Sequence, residues 1–245
     1  MKSPAFFDAV PRIAVHDGLA ETLGEATDGV IEYTYADAVR LAGHSCPTVA
    51  GAYLMTRAAL ARLYPGALPE RGEMLVELRQ PIEEGVAGVI GHVAGLLTGA
   101  ANEGGFKGLG SRFDRRGLLR FGVPMAGILR ITRLDTKKSV TADYHPDIVP
   151  RPPALKALMP AALAAGAPAE ARGEFAAQWQ AWGRAGVQRP GAKPAAGMQC
   201  ERMARRPKPR QHRLRQHVAG VRHDREPRAA RQCRARRDQR LVTLQ

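Results

Sequence analysis

Apolar positions in this chain switch period several times, and each switch marks an element. Residues 13–23 read as a helix, with Ile13, Leu19 and Leu23 apolar and Gly24 as the stop. The β-branched and aromatic run Val30-Ile31-Glu32-Tyr33-Thr34-Tyr35 predicts a short strand, after which residues 36–41 turn helical. Pro47 suits the first turn of a helix, where its missing N–H is no loss, and residues 48–64 continue that helix to the Tyr64-Pro65-Gly66 stop. Its broad apolar face holds Val49, Tyr53, Leu60 and Leu63. Residues 74–79 predict a strand closed by Pro81. Residues 85–99 are apolar but carry Gly85, Gly88, Gly91 and Gly95, which predicts a buried helix packed closely on its neighbours.

Residues 118–123, 126–134 and 138–145 alternate apolar with polar and predict three strands in an antiparallel meander. Four prolines between 146 and 153 then break the pattern. Two Ala-rich helices over 154–165 and 170–182 follow as an appendage. Helices early and strands late argue for α+β: helices packed on a mainly antiparallel sheet, with a C-terminal helical appendage and a disordered basic tail. The expected domains are 1–147, 148–186 and 187–245.

Charge separates the tail from the rest. Beyond Gly186 lie 17 of the 37 Lys and Arg but only 4 of the 23 Asp and Glu, a net +13 of the chain's +14. Residues 1–186 are therefore nearly neutral, and the basic balance says nothing about their partners. The tail has no aromatics and no period, so burial cannot offset its ordering entropy. Arg-rich segments of this kind bind nucleic acid, yet the same mixture of Arg, Ala, Pro, Gly and Gln arises when a GC-rich gene is read out of frame. A frameshift near residue 183 and a genuine tail are both open readings.

The start of the chain meets a charge and a proline too early for a secretory signal, and no apolar run reaches the length of a membrane span. Three cysteines make no disulfide framework, and the expectation is a soluble, cytoplasmic protein without a membrane partner.

The chemistry concentrates in Gly43-His44-Ser45-Cys46-Pro47. With Pro47 as the first helical residue, Cys46 is the cap, and its sulfur sits at the positive end of the helix dipole. That position favours the thiolate, which ligates metals and attacks electrophiles, and His44 can bind the same metal or take the proton. A buried structural cysteine is the plain alternative. Cys200, Cys233, His212, His217 and His223 lack finger-like spacing and are taken as incidental.

Gly43-His44-Ser45-Cys46-Pro47, with Ala50-Gly51-Ala52-Tyr53 on the helix that follows, resembles the Gly-His-x-Cys-Pro signature of the FmdE-like family of formylmethanofuran dehydrogenase proteins. The likeness extends more weakly through residues 74–79 and Leu97-Thr98-Gly99 to about Asp147. It implies a homodimeric α+β domain that binds a transition metal such as zinc, with an accessory or sensing role in metal or one-carbon metabolism. The family's second segment carries a Cys and an Asp before Thr-Gly, then a further Cys. Here that stretch reads Val89-Ile90-Gly91-His92-Val93, with Ala100 after Thr98-Gly99.

His92 falls near the family's Asp, so the resemblance makes His44, Cys46 and His92 the metal ligands, with water at the open fourth position. A packed helix histidine is the alternative for His92. His16 and His145 are further ligand candidates. The Gly-rich loop over 102–110 has the wrong spacing for a phosphate loop. In a family-like fold it would pass the metal, bringing Glu103 or Lys107 to a small-molecule ligand. As alternatives to metal binding stand an enzyme acting on a small carbonyl substrate, with Glu103 or His92 moving protons, and nucleic-acid binding through the tail.

Overall fold

In the computed structural model the described residues are 3–145, 149–188 and, as backbone, 200–202. All of them fall in one compact unit, Met1–Arg206. The fold is α+β. A two-stranded ribbon of β1 (Ile13–His16) and β2 (Val30–Tyr33) stands apart from a five-stranded sheet. That sheet contains β3 (Met74–Leu78), β4 (Leu119–Arg120), β5 (Leu129–Arg133), β6 (Lys138–Ala142) and β7 (Cys200–Arg202), in the order β4-β3-β5-β6-β7. Helices α3 (Pro47–Leu63) and α4 (Ala87–Thr98) pack together and against the sheet.

Residues 13–23 are not one helix. Ile13 and Val15 are buried and alternate with half-buried Ala14 and His16, which is strand periodicity, and β1 pairs antiparallel with β2. The helix proper, α1 (Gly18–Leu23), begins after Asp17, whose Oδ1 accepts from Leu19 N at 3.0 Å and Ala20 N at 3.3 Å. A carboxylate so placed satisfies N–H groups the helix leaves unpaired, and ends the strand there. Asp17 is only 2% exposed. Arg71 Nη1 donates to its Oδ2 at 2.7 Å, and Arg115 Nη2 to its Oδ1 at 2.8 Å. Three distant parts of the chain are therefore tied through one carboxylate. Burial pushes the Asp17 carboxyl up, but the bonds from Arg115 and Arg71 outweigh it and hold the group below the usual range.

The expected meander is half right. β5 and β6 form an antiparallel pair, and β3 pairs antiparallel with β5. β4 instead lies parallel to β3 on its other edge, with Val76 opposite Leu119. The chain leaving α4 is turned back beside β3 by backbone bonds from Ala101 N to Arg115 O, Leu119 N to Ala101 O and Val76 N to Leu118 O. Buried Arg115, held on Asp17, anchors that return. β3 is buried along its whole length, and its one acidic residue, Glu77, accepts from Arg130 Nε at 2.8 Å.

The two late helices, α5 (Pro153–Leu163) and α6 (Ala169–Gln188), pack on each other, and α6 also meets α3. α6 continues past residue 186, and partly buried Val187 packs on the core. β7, within the span expected as tail, pairs antiparallel with β6. The remainder of the expected disordered tail lies outside the described residues.

Candidate functional site

Helix α2 (Tyr35–Ala42) is opened by a capping box between Thr34 and Asp37 and closed by Gly43 at φ 76°. That left-handed conformation suits glycine and turns the chain sharply toward α3. The turn residues His44 and Ser45 are followed by Cys46 as the α3 cap and Pro47 in its first turn, as the sequence predicts. Cys46 caps through its carbonyl, which accepts from Ala50 N at 3.0 Å; its side chain makes no capping bond.

His44 is exposed, and its Nδ1 lies 2.9 Å from Ala42 O. A carbonyl oxygen only accepts, so Nδ1 must carry the proton. In the neutral ring that arrangement leaves Nε2 with a free lone pair. A backbone carbonyl behind a histidine in this way is the arrangement that orients histidines for metal or proton chemistry.

Ser45 is buried and fixed at both ends. Its Oγ is 2.8 Å from Tyr35 Oη, and its carbonyl accepts from Trp179 Nε1 at 2.6 Å. Tyr35 belongs to an edge-to-face aromatic chain running Phe6, Phe7, Tyr35, Tyr53, with centroid separations of 4.8, 5.0 and 5.7 Å. Burial above all pushes the Tyr35 hydroxyl up to about 12, with Cys46 adding to the rise. Tyr144 is likewise raised by burial and then by Cys46, whose free thiol is half-buried. The Tyr144 ring lies on Gly51 of α3, where a β-carbon would overlap it.

Beside His44 opens a cavity of about 540 Å³. One side is Phe7, Val39, His44 and Ser45; the other is Met159 and Leu163 of α5 with Phe175, Trp179 and Gln180 of α6. Among the described residues no Asp, Glu, Lys or Arg side chain borders it. Cys46 is not among its lining residues.

The other candidate residues are scattered. His92 is exposed on α4 between buried Gly91 and Val93. Among the described residues no three or more His, Cys, Asp and Glu side chains are gathered as a metal ion would require, so His44, Cys46 and His92 form no closed ligand set within one chain. His16 is engaged by Glu70 at 2.8 Å and Glu21 at 3.3 Å. His145 is exposed, next in sequence to Tyr144. Glu103 and Lys107 are exposed on a loop that borders none of the cavity beside His44.

Sequence reasoning missed the α6 contribution. Phe175, Trp179 and Trp182 recur at helical spacing, and that stripe was the available signal that α6 packs on something. Trp182 Nε1 donates to Val149 O at 2.9 Å, a second bond that seats the helix. Among the described residues no helix is long and apolar enough to cross a membrane. Compared with protein-family models, curated proteins and solved structures, the chain matches none.

Proposed function

We propose that this is a transition-metal-binding protein, with zinc as the metal and His44 and Cys46 as ligands, serving an accessory or sensing role in metal or one-carbon metabolism. The observation that carries it is the Nδ1 contact from His44 to Ala42 O, which in the neutral ring selects the tautomer with a free Nε2. Cys46, two residues on at the head of α3, supplies a thiol with no capping duty of its own. The resemblance of this segment to the FmdE-like family points the same way.

Two ligands from one chain leave coordination positions for water, for His92 or for a second copy of the chain. The last accords with the homodimer that the resemblance implies. A bound zinc ion would supply Lewis acidity there. The chain's own residues hold the turn: Gly43 reverses it, Ser45 pins it to Tyr35 and Trp179, and Ala42 O orients the imidazole.

A second reading, an enzyme acting on a small carbonyl compound, draws on the cavity beside His44. It ranks lower because the Cys46 thiol does not line that cavity. Nucleic-acid binding ranks last, since it rests on the tail alone.

The test is metal analysis of the full chain, wild type beside His44→Ala, Cys46→Ala and His92→Ala. About one equivalent per chain is expected in the wild type, lost in the first two variants while their circular dichroism is unchanged. The tail cysteines and histidines are present in every sample, so any metal they hold would survive both substitutions. Metal content unaltered by Cys46→Ala and His44→Ala would end the reading.

A further inference from the structure

From the cavity beside His44 we infer a binding site for a neutral, mainly apolar small molecule bearing one hydroxyl group, an alcohol or phenol whose O–H is given to His44. The inference shares His44 with the metal reading but needs no metal.

Three observations carry it. The first is size: about 540 Å³ lies within the range of cavities that hold small organic ligands, and is too small for a folded partner. The second is the wall. Phe7, Val39, Met159, Leu163, Phe175 and Trp179 offer aromatic and aliphatic surface, and among the described residues no Asp, Glu, Lys or Arg borders the space. A phosphate, sulfonate or other fixed charge would enter without a counter-charge, which burial penalises heavily. The body of the ligand is therefore apolar and its head neutral.

The third is the polarity of the imidazole that lines the space. With Nδ1 facing Ala42 O, the neutral His44 ring has Nδ1 as its donor and Nε2 as its acceptor. Its partner must then be a donor. Of the other polar groups, Ser45 Oγ bonds Tyr35, Ser45 O bonds Trp179 and Trp179 Nε1 is spent on that bond, while Gln180 Oε1, buried and without a hydrogen-bond partner, is a second acceptor that calls for a donor in the same way. A hydroxyl meets the need of Nε2 without demanding a second partner, because it donates once and its lone pairs can face solvent at the open rim.

The rigidity of the walls supports a preformed site. Trp179 is locked to the Ser45 carbonyl and stacks near Phe175 at 5.7 Å between centroids, and Phe7 is held by Tyr35 at 5.0 Å. Little ordering entropy remains to be lost when a ligand enters.

The experiment uses the full chain stripped of metal with a chelator, so that failure of the metal reading leaves it intact. Binding is followed by quenching of tryptophan fluorescence, with 2-naphthol as the probe. Its methyl ether, 2-methoxynaphthalene, removes the donor at nearly constant shape, and naphthalene-2-sulfonate adds a charge. Saturable binding of 2-naphthol is expected, about five- to tenfold tighter than the ether, the worth of one hydrogen bond. His44→Phe should erase that preference while retaining affinity for the ether. Ala176→Phe, which places a ring in the cavity, should weaken both ligands about tenfold or more. If circular dichroism shows Ala176→Phe misfolded, Met159→Trp fills the space from the opposite helix.

No saturable binding, equal binding of the sulfonate, or affinity indifferent to both filling variants would overturn the inference. So would absent naphthol binding together with a change of sedimentation mass in Ala176→Phe, which would assign the surface to a second copy of the chain.

Discussion

Replacing Asp17 by Asn tests how the molecule holds its N-terminal ribbon, α1 and the return to β4 together. The exchange keeps an Oδ1 for the Leu19 and Ala20 N–H groups but removes the charge, and turns an N–H₂ toward one of two guanidinium groups. Arg71 keeps two bonds to Leu96 O and is partly exposed. Arg115 is worse placed, because its side chain is 6% exposed and its Nε is already without a partner. Leaving a buried charge uncompensated destabilises proteins by about 3–5 kcal/mol, about a fifth or more of the stability of an ordinary domain.

With a urea slope of about 2 kcal/mol per M, the unfolding midpoint should fall by about 1.5–2.5 M at pH 7. The sign of the pH dependence is also fixed. Asp17 is held below its ordinary value of 3.8 in the folded state, so its contribution is complete above the unfolded value. It is lost as pH falls through the folded value, and the gap between wild type and variant should close only in that acid range. Adding Arg115→Met to Asp17→Asn should recover part of the loss by removing the orphaned charge. A midpoint shift under about 0.5 M at pH 7, or a double variant less stable than the single one, would refute the reasoning.

Two further predictions concern the packing of α3 and the ion pairs of β1. Gly51→Ala puts a methyl group into the Tyr144 ring; overpacking of about 1–3 kcal/mol, less the roughly 1 kcal/mol gained in helix propensity, should lower the thermal midpoint, and an unchanged or raised midpoint would contradict the packing. His16 is raised above its ordinary 6.5 by its hydrogen bond to Glu70, against burial, with Glu21 assisting. The stabilisation it provides is complete below about pH 6.5 and lost as pH rises through the folded value, so the stability gap to His16→Gln should shrink toward alkaline pH, where a constant gap would exclude the linkage.

The parts of the fold legible in the sequence are those whose burial is local and periodic. Cys46 and Pro47 set the start of α3 by cap chemistry alone, and β3, β5 and β6 follow from apolar runs and alternation. Residues 13–23 mislead because Ile13, Leu19 and Leu23 fit a helical face by number. What separates strand from helix there is Asp17, whose two arginine partners lie 54 and 98 residues away. No window around residue 17 contains that information. The neighbour of β4 is hidden for a related reason, since its place beside β3 depends on where Arg115 is anchored. At the site, the His44–Cys46 motif is readable, but its surroundings are not. Ser45 O and Trp179 are 134 residues apart, and the helix that closes the cavity resembles a detachable Ala-rich segment when read alone.

That separation bears on how the protein matures during synthesis. The segment 43–47 leaves the ribosome early, while the far wall, Met159 to Gln180, emerges only after every strand from β1 to β6. N-terminal parts of a nascent chain fold first, so His44 waits on a half-built surface with the Ser45 carbonyl unpartnered until Trp179 arrives. A translation product halted before α6 would carry the whole Gly-His-x-Cys-Pro sequence and yet present no cavity. Presence of the motif in such a fragment therefore says little about whether it can bind anything.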